Sequence, residues 1–224
     1  MAELYIYRNL FLPLNVVPWP LLLVVLFFSI VIHEVAHGAM ALKCGDDTAL
    51  HMGRITLNPA AHIDPVGTIL VPVLLVILPT RFVFGWAKPV PVNPYNFYDI
   101  RKGTILVGIS GAASNFALAF ILALFVRILN IAGAASGAGF TVVSLLAAGV
   151  TVNIILGLFN LVPIPPLDGS RVVSALLPYE AAQRYESVGP YGLLILFLLL
   201  GVVWQFIAAI GNIFYRLLFI GLPL

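Results

Sequence analysis

Apolar residues in this chain come in long blocks, without the strict alternation of half-buried strands or the one-sided stripe of surface helices. A helix that crosses a hydrocarbon core of roughly 30 Å needs about 20 apolar residues. Four blocks reach that length: Trp19 to Leu42, Gly103 to Leu129, Phe140 to Leu161 and Tyr191 to Ile213. A fifth, Val66 to Phe84, is shorter and is interrupted by Pro72 and Pro79, so it reads as a broken or re-entrant segment. Two non-helical stretches lie beside it. Thr48 to Asp64 is polar and punctuated by Gly53, Asn58 and Pro59, with a short strand expected at His51 to Leu57. Gly85 to Val92 contains Pro89 and Pro91, which exclude a regular helix and favour extended backbone. The pattern predicts an all-α polytopic membrane protein: about four full transmembrane helices, one re-entrant or broken apolar segment and a small β excursion.

Composition narrows the class. Hydrophobic residues make up 62% of the 224 positions and charged residues 9%, against about 25% charge in ordinary soluble domains. A formal charge of +2 without a run of Lys or Arg gives no footprint for nucleic acid. The single cysteine, Cys44, excludes an internal disulfide and reads as a plain helix-end residue. Met1 to Pro20 lacks a secretory signal pattern, so the first span is expected in the mature protein. The chain reads as one membrane-embedded domain over residues 1–224, with a core at about 19–175 and a C-terminal helix region at about 190–222.

Basic residues suggest an orientation, since cytoplasmic loops carry the excess. If Val66 to Phe84 re-enters, Lys43, Arg54, Arg81, Lys88, Arg101, Lys102, Arg171 and Arg184 share one side, against Arg8, Arg127 and Arg216. That bias places the N-terminus outside. A crossing segment would give a weaker split and the opposite orientation. The compact form fits a prokaryotic cytoplasmic membrane.

The first block holds an unexpected group, His33-Glu34-Val35-Ala36-His37. Ionisable residues at membrane depth are costly and call for compensation. On a helix, His33 and His37 lie one turn apart on one face and can share a Zn²⁺, while Glu34 is placed to take a proton from a metal-bound water. A catalytic zinc needs a third protein ligand. Most acidic residues fall in loops or near predicted ends, but Asp168 follows the proline-broken helix end Asn160 to Leu167, where polar groups can face an internal cavity. Carboxylate coordination by Asp168 would complete the set at the junction of the first and third full spans.

HEVAH at 33–37 together with NLVPIPPLDG at 160–169 resembles the site-2 protease family of intramembrane zinc metalloproteases. GRITLNPAAHIDPVGT at 53–68, GWAKPVPVNP at 85–94 and GISGAASN at 108–115 look like the same family, so the resemblance runs from about residue 19 to 175. It implies one zinc per chain held by His33, His37 and Asp168, with Glu34 as general base and Asn160 supporting the substrate backbone or the developing oxyanion. It also implies hydrolysis of peptide bonds in transmembrane protein substrates within the bilayer. The family's Gly-Pro-x-x-Asn element departs here to GISGAASN, leaving Asn115 with a packing role. The PDZ and CBS domains of many family members are not visible in this sequence.

An unwound substrate could add as a strand along the extended segment, through Lys88, Pro89, Val90 and Pro91. Other residues read as ordinary: His51 and His62 as loop histidines, Asn153 as packing, and Gly108, Gly111, Ala112 and Ser114 as a small-residue helix face. Two rival functions use the same ligands: a zinc-binding membrane transporter, or an inactive relative that binds helices without cutting them. Glu34 separates them from a protease, which needs it as a base.

Overall fold

The structure is a computed structural model that describes residues 9–77, 85–134 and 136–222. The end of the fifth apolar block, 78–84 with Pro79 and Arg81, lies outside the described residues. Nine α-helices follow one another among the described residues: α1 (Leu12–Val16), α2 (Trp19–Lys43), α3 (Thr48–His51), α4 (Val71–Ile77), α5 (Ile100–Ile131), α6 (Ala138–Asn160), α7 (Asp168–Leu176), α8 (Tyr179–Glu186) and α9 (Gly192–Leu218). Four of them, α2, α5, α6 and α9, are long and apolar enough to cross a membrane. They coincide with the four expected spans. The 32 residues of α5 extend about 48 Å at 1.5 Å per residue, so Arg101 and Lys102 ride on its first turn rather than ahead of it.

Helix ends follow from local chemistry. The Asp99 side chain accepts from the Lys102 N–H at 2.9 Å and starts α5. Gly45, at φ 111°, turns the chain out of α2, and the Asp46 N–H returns to the Ala41 carbonyl at 2.9 Å. Cys44 closes that helix, as its bland reading had it.

Helix α6 is the central element and packs on α2, α5 and α9. Its Val143, Ala147, Val150 and Ile154 join Ala119, Ala123 and Val126 of α5 and Tyr215 and Phe219 at the end of α9 in one buried cluster. Leu10 plugs the same cluster, its N–H donating to Asn212 Oδ1 at 3.0 Å and its carbonyl accepting from the Thr151 hydroxyl at 2.7 Å. This apolar core occupies one half of the bundle. The other half, where α2 ends and α5 begins, is packed by the polar connections.

The segment between α2 and α5 corrects one expectation. No β-ladder forms among the described residues, so the small β excursion is absent. His51 ends the short α3, whose N–H groups bond back to Asp47 and Thr48, and Asn58 caps a 3₁₀ turn at Pro59–His62. The chain enters the fifth apolar block through a π-turn at Pro65–Leu70, capped by Asp64. Its exit lies against its start: the Trp86 N–H donates to the Gly67 carbonyl at 3.1 Å, and the Thr68 hydroxyl donates to the Trp86 carbonyl at 2.8 Å. The described residues on either side of the block are thus hydrogen-bonded to each other.

Gly85 to Val92 is non-helical as expected, yet it pairs with no strand. Alternate N–H groups at Trp86, Lys88 and Val90 go to the Gly67 carbonyl, the His62 carbonyl and the Glu34 carboxylate. Loops and a side chain thus satisfy an edge that a neighbouring strand would otherwise fill.

Candidate metal centre

His33 and His37 lie one turn apart in α2 and face Asp168, the first residue of α7. His33 Nε2 is 2.9 Å from His37 Nε2 and 3.1 Å from Asp168 Oδ2, and His37 Nε2 is 3.0 Å from the same oxygen. All three side chains are nearly buried, with relative exposures of 6%, 6% and 8%. Sequence reasoning placed the site between the first and third spans. The structure adds α5 as a third wall and puts Asp168 on α7, past the proline-rich turn that ends α6.

The opposite nitrogens decide what these rings can do. His37 Nδ1 lies 2.7 Å from the Val107 carbonyl oxygen, which only accepts, so the proton is on Nδ1. His33 Nδ1 lies 2.7 Å from Asn115 Oδ1, also an acceptor. When the rings held this way are neutral, two bare Nε2 lone pairs turn toward each other and toward a carboxylate. Such an arrangement is repulsive unless a cation sits among the three. Two imidazoles and a carboxylate at this separation suit Zn²⁺, and partners on the far ring nitrogens are the usual support for zinc-binding histidines. Among the described residues, these three form the one group of His, Cys, Asp or Glu able to hold a metal ion.

Two residues read from sequence as packing turn out to belong to the centre. Gly111 of α5 faces the ligand atoms: a Cβ there would lie 2.4 Å from His33 Cε1 and 2.5 Å from the Nε2 of each histidine. Asn115, fully buried one turn further, holds His33. Their spacing was the available signal, since positions 111 and 115 of a helix share a face, but only the packing of α5 on α2 shows that the face meets the histidines.

Glu34 points elsewhere. Its Oε2 accepts from the Val90 N–H at 2.7 Å, and its Oε1 has no hydrogen-bond partner among the described residues. Val90 is buried, its side chain against Gly38, one turn beyond Glu34 on the same face of α2. Lys88 and Pro89 are exposed, and Pro91 is half-buried. The buried guanidinium of Arg54 holds this segment from behind, donating from Nη2 to the Lys88 carbonyl at 2.6 Å and to the Pro89 carbonyl at 3.3 Å. Asn160 is not drawn into the cluster: its amide donates to the Leu156 carbonyl of its own helix at 3.0 Å. His51 pairs with Asp47 at the surface, and His62 is buried with Nε2 on the Thr56 carbonyl, so neither approaches the centre.

Known proteins match the sequence. The profile described as Peptidase family M50 matches residues 125–202. The Bacillus subtilis protein named "Putative zinc metalloprotease YwhC" is 38% identical over 194 residues, covering 86% of this chain and 84% of that protein. Rip2 of Mycolicibacterium smegmatis, named in the same way, is 28% identical over 77% of this chain and 63% of its own length. Zinc metalloprotease MJ0392 of Methanocaldococcus jannaschii is 25% identical over 73% of this chain, which spans 36% of that protein. No solved structure matches. With two histidines and an aspartate close enough to share a metal ion and a relative similar along most of both chains, this protein belongs to peptidase family M50, the site-2 protease family of zinc metalloproteases.

Proposed function

We propose that the protein hydrolyses peptide bonds of transmembrane protein substrates at the depth of this centre, holding one zinc per chain through His33, His37 and Asp168. The observation that carries the proposal is the convergence of the Nε2 atoms of His33 and His37 with the Asp168 carboxylate, the two histidines lying on the helix that also carries Glu34, whose Oε1 has no hydrogen-bond partner among the described residues. Bound zinc would supply Lewis-acid polarisation and water activation. The remaining work falls to the chain's own residues. Glu34, anchored through Oε2 by Val90, takes a proton on Oε1 and returns it to the leaving amine. Asn160 supports the substrate oxyanion after releasing its bond to Leu156.

A transmembrane helix must unwind before its carbonyls can be attacked, and the 85–91 segment offers it an edge. The N–H groups of Trp86, Lys88 and Val90 point inward to protein partners. Ala87, Pro89 and Pro91 alternate with them and face the other way, and two of these three lack an N–H donor. An incoming substrate would therefore be met mainly by carbonyl acceptors at Ala87 and Pro91, the Pro89 carbonyl being held by Arg54, with the Lys88 and Pro89 side chains at the exposed rim.

Orientation follows from charge. Among the described residues Lys43, Arg54, Lys88, Arg101, Lys102, Arg171 and Arg184 lie on the face where α2 ends and α5 begins, against Arg127 and Arg216 near the far ends of α5 and α9. That excess makes the site face cytoplasmic, in a prokaryotic cytoplasmic membrane.

The test compares zinc content and cleavage of a reporter transmembrane segment by wild type, Glu34→Gln and Asp168→Ala. Glu34→Gln should keep its zinc and lose cleavage by at least about a hundredfold, and Asp168→Ala should bind zinc weakly. Zinc-loaded wild type that leaves the segment uncut in every lipid tested would overturn the proposal in favour of transport or helix binding.

A further inference from the structure

The supports of the two histidine ligands differ in kind. His37 leans on a backbone carbonyl, which cannot change character. His33 leans on a side-chain amide, which can. Rotated by half a turn, the Asn115 amide would present its NH₂ to His33 Nδ1; that nitrogen would have to accept, the ring proton would move to Nε2, and the ligand lone pair would be lost. Something must hold the Asn115 oxygen toward the ring.

The fixing chain runs through α6. Asn153 Nδ2 donates to the Gly149 carbonyl at 2.8 Å and to Ser29 Oγ at 2.9 Å. Ser29 Oγ spends its own proton on the Val25 carbonyl at 2.8 Å, so toward Asn153 it can only accept. Both ends of the chain are backbone carbonyls of helices and cannot reverse. Asn153 must therefore turn Oδ1 outward, where it accepts from Asn115 Nδ2 at 2.8 Å. Asn115 then turns its oxygen to His33, and its Nδ2 also lies 3.4 Å from the Ser29 carbonyl, a longer contact that favours the same orientation. Asn115 and Asn153 are fully buried and Ser29 is 2% exposed, so water does not compete for any of these bonds.

We infer that Asn153, backed by Ser29, is a positioning residue for the metal centre: it fixes the orientation of Asn115 and thereby keeps the lone pair of His33 Nε2 available to zinc. The inference rests on the metalloprotease reading of the triad and assigns α6 a part in metal binding although it supplies no ligand.

The experiment uses the full-length protein in detergent or lipid, with zinc affinity measured by chelator competition and the His33 proton located by ¹⁵N shifts in the zinc-free state. Asn153→Leu should weaken zinc binding roughly 10- to 100-fold and shift part of the His33 population to the Nε2–H form. If the leucine variant does not fold, Asn153→Ala is read in its place. A carboxylate has no donor face, so Asn115→Asp in the Asn153→Leu background cannot present the wrong group to His33. That double variant should bind zinc more tightly than Asn153→Leu alone. Asn115→Asp alone sets a carboxylate against the fixed Asn153 oxygen and should bind more weakly than the double variant. A folded Asn153→Leu protein with wild-type zinc affinity and an unchanged His33 proton, or a double variant no better than the single, overturns the inference. Wild type that binds no zinc would instead defeat the metal reading, and the position of the His33 proton would still decide for or against the Asn153 relay.

Discussion

Within one turn of α2, His33 and His37 face a wall of helices while Glu34 faces an irregular loop. The ligand side is held by α5 and α6 through buried side chains whose hydrogen bonds are all met. The base side is held by the 85–93 segment, which is tied down one backbone group at a time by His62, Arg54, Glu34 and Asp46. Helix packing of the first kind is stiff and suits a metal, whose ligands must stay put. A loop carried by separate polar tethers can yield one tether at a time, which suits a surface that must admit a substrate and then let it go. The difference predicts that mutations on the two sides fail differently: on the helical side metal and activity are lost together, and on the loop side activity is lost first.

The sharpest break on the helical side is Gly111→Ala. A methyl group at this position would overlap the ligand nitrogens, and neither α2 nor α5 has room to withdraw without disturbing the small-residue contact between them. Overpacking of this order typically costs 1–3 kcal/mol. Here the strain falls on the ligands, so zinc affinity should drop roughly a hundredfold, measured by chelator competition, while helix content stays the same.

The helical side was also the part most legible in the sequence. Four spans, the His33–His37 pair and Asp168 follow from block length, one-turn spacing and a proline-broken helix end, all of them local properties. What escaped was non-local. Asn115 and Gly111 gain their roles from the face of α5 that meets α2, and nothing in GISGAASN by itself says which face that is. The expected strand at His51 to Leu57 fails for a related reason: an extended or polar stretch becomes a strand only if a partner edge is supplied, and here α3 and successive capped turns satisfy the backbone first. The re-entrant reading of Val66 to Phe84 depended on a modest charge bias, and nothing in the sequence signalled that Gly67 and Trp86 would be hydrogen-bonded.

The loop side is tested by Arg54→Met. The methionine keeps the bulk of a side chain 5% exposed but removes the donors to the Lys88 and Pro89 carbonyls. Hydrogen bonds from a charged group are worth about 1.5–3 kcal/mol. Released from Arg54, the segment should present Val90 to Glu34 less often, and cleavage should fall roughly tenfold with zinc content unchanged. Arg54→Lys, which keeps the charge and one donor, should recover part of the loss. Parallel loss of zinc in Arg54→Met would erase the distinction between the two sides.

The smallest effect concerns the far end of the same segment. Asp46 is fully buried at the turn after α2 and accepts from the Asn93 N–H at 2.7 Å and the Asn96 amide at 2.9 Å, as well as from the Thr48 hydroxyl and N–H. Burial, the largest single influence, works to raise its pKa, but these hydrogen bonds together outweigh it and hold the carboxyl below the usual carboxylate range. A carboxylate with a depressed folded-state pKa contributes stability that is fully present above its unfolded value, near 3.9, and is lost as pH falls through the folded value. The tether at Asn93 should therefore hold throughout the neutral range and weaken only below about pH 4. Asp46→Asn lacks this titration. Thermal stability of the zinc-free proteins should show wild type above the variant by a few degrees at neutral pH, with the gap closing as the solution is acidified through the carboxylate range. Because both proteins share every other titrating group, the difference between them isolates Asp46. A gap that stays constant down to acid pH would mean that the Asn93 end is held by packing, and that the loop is stiffer there than its separate tethers imply.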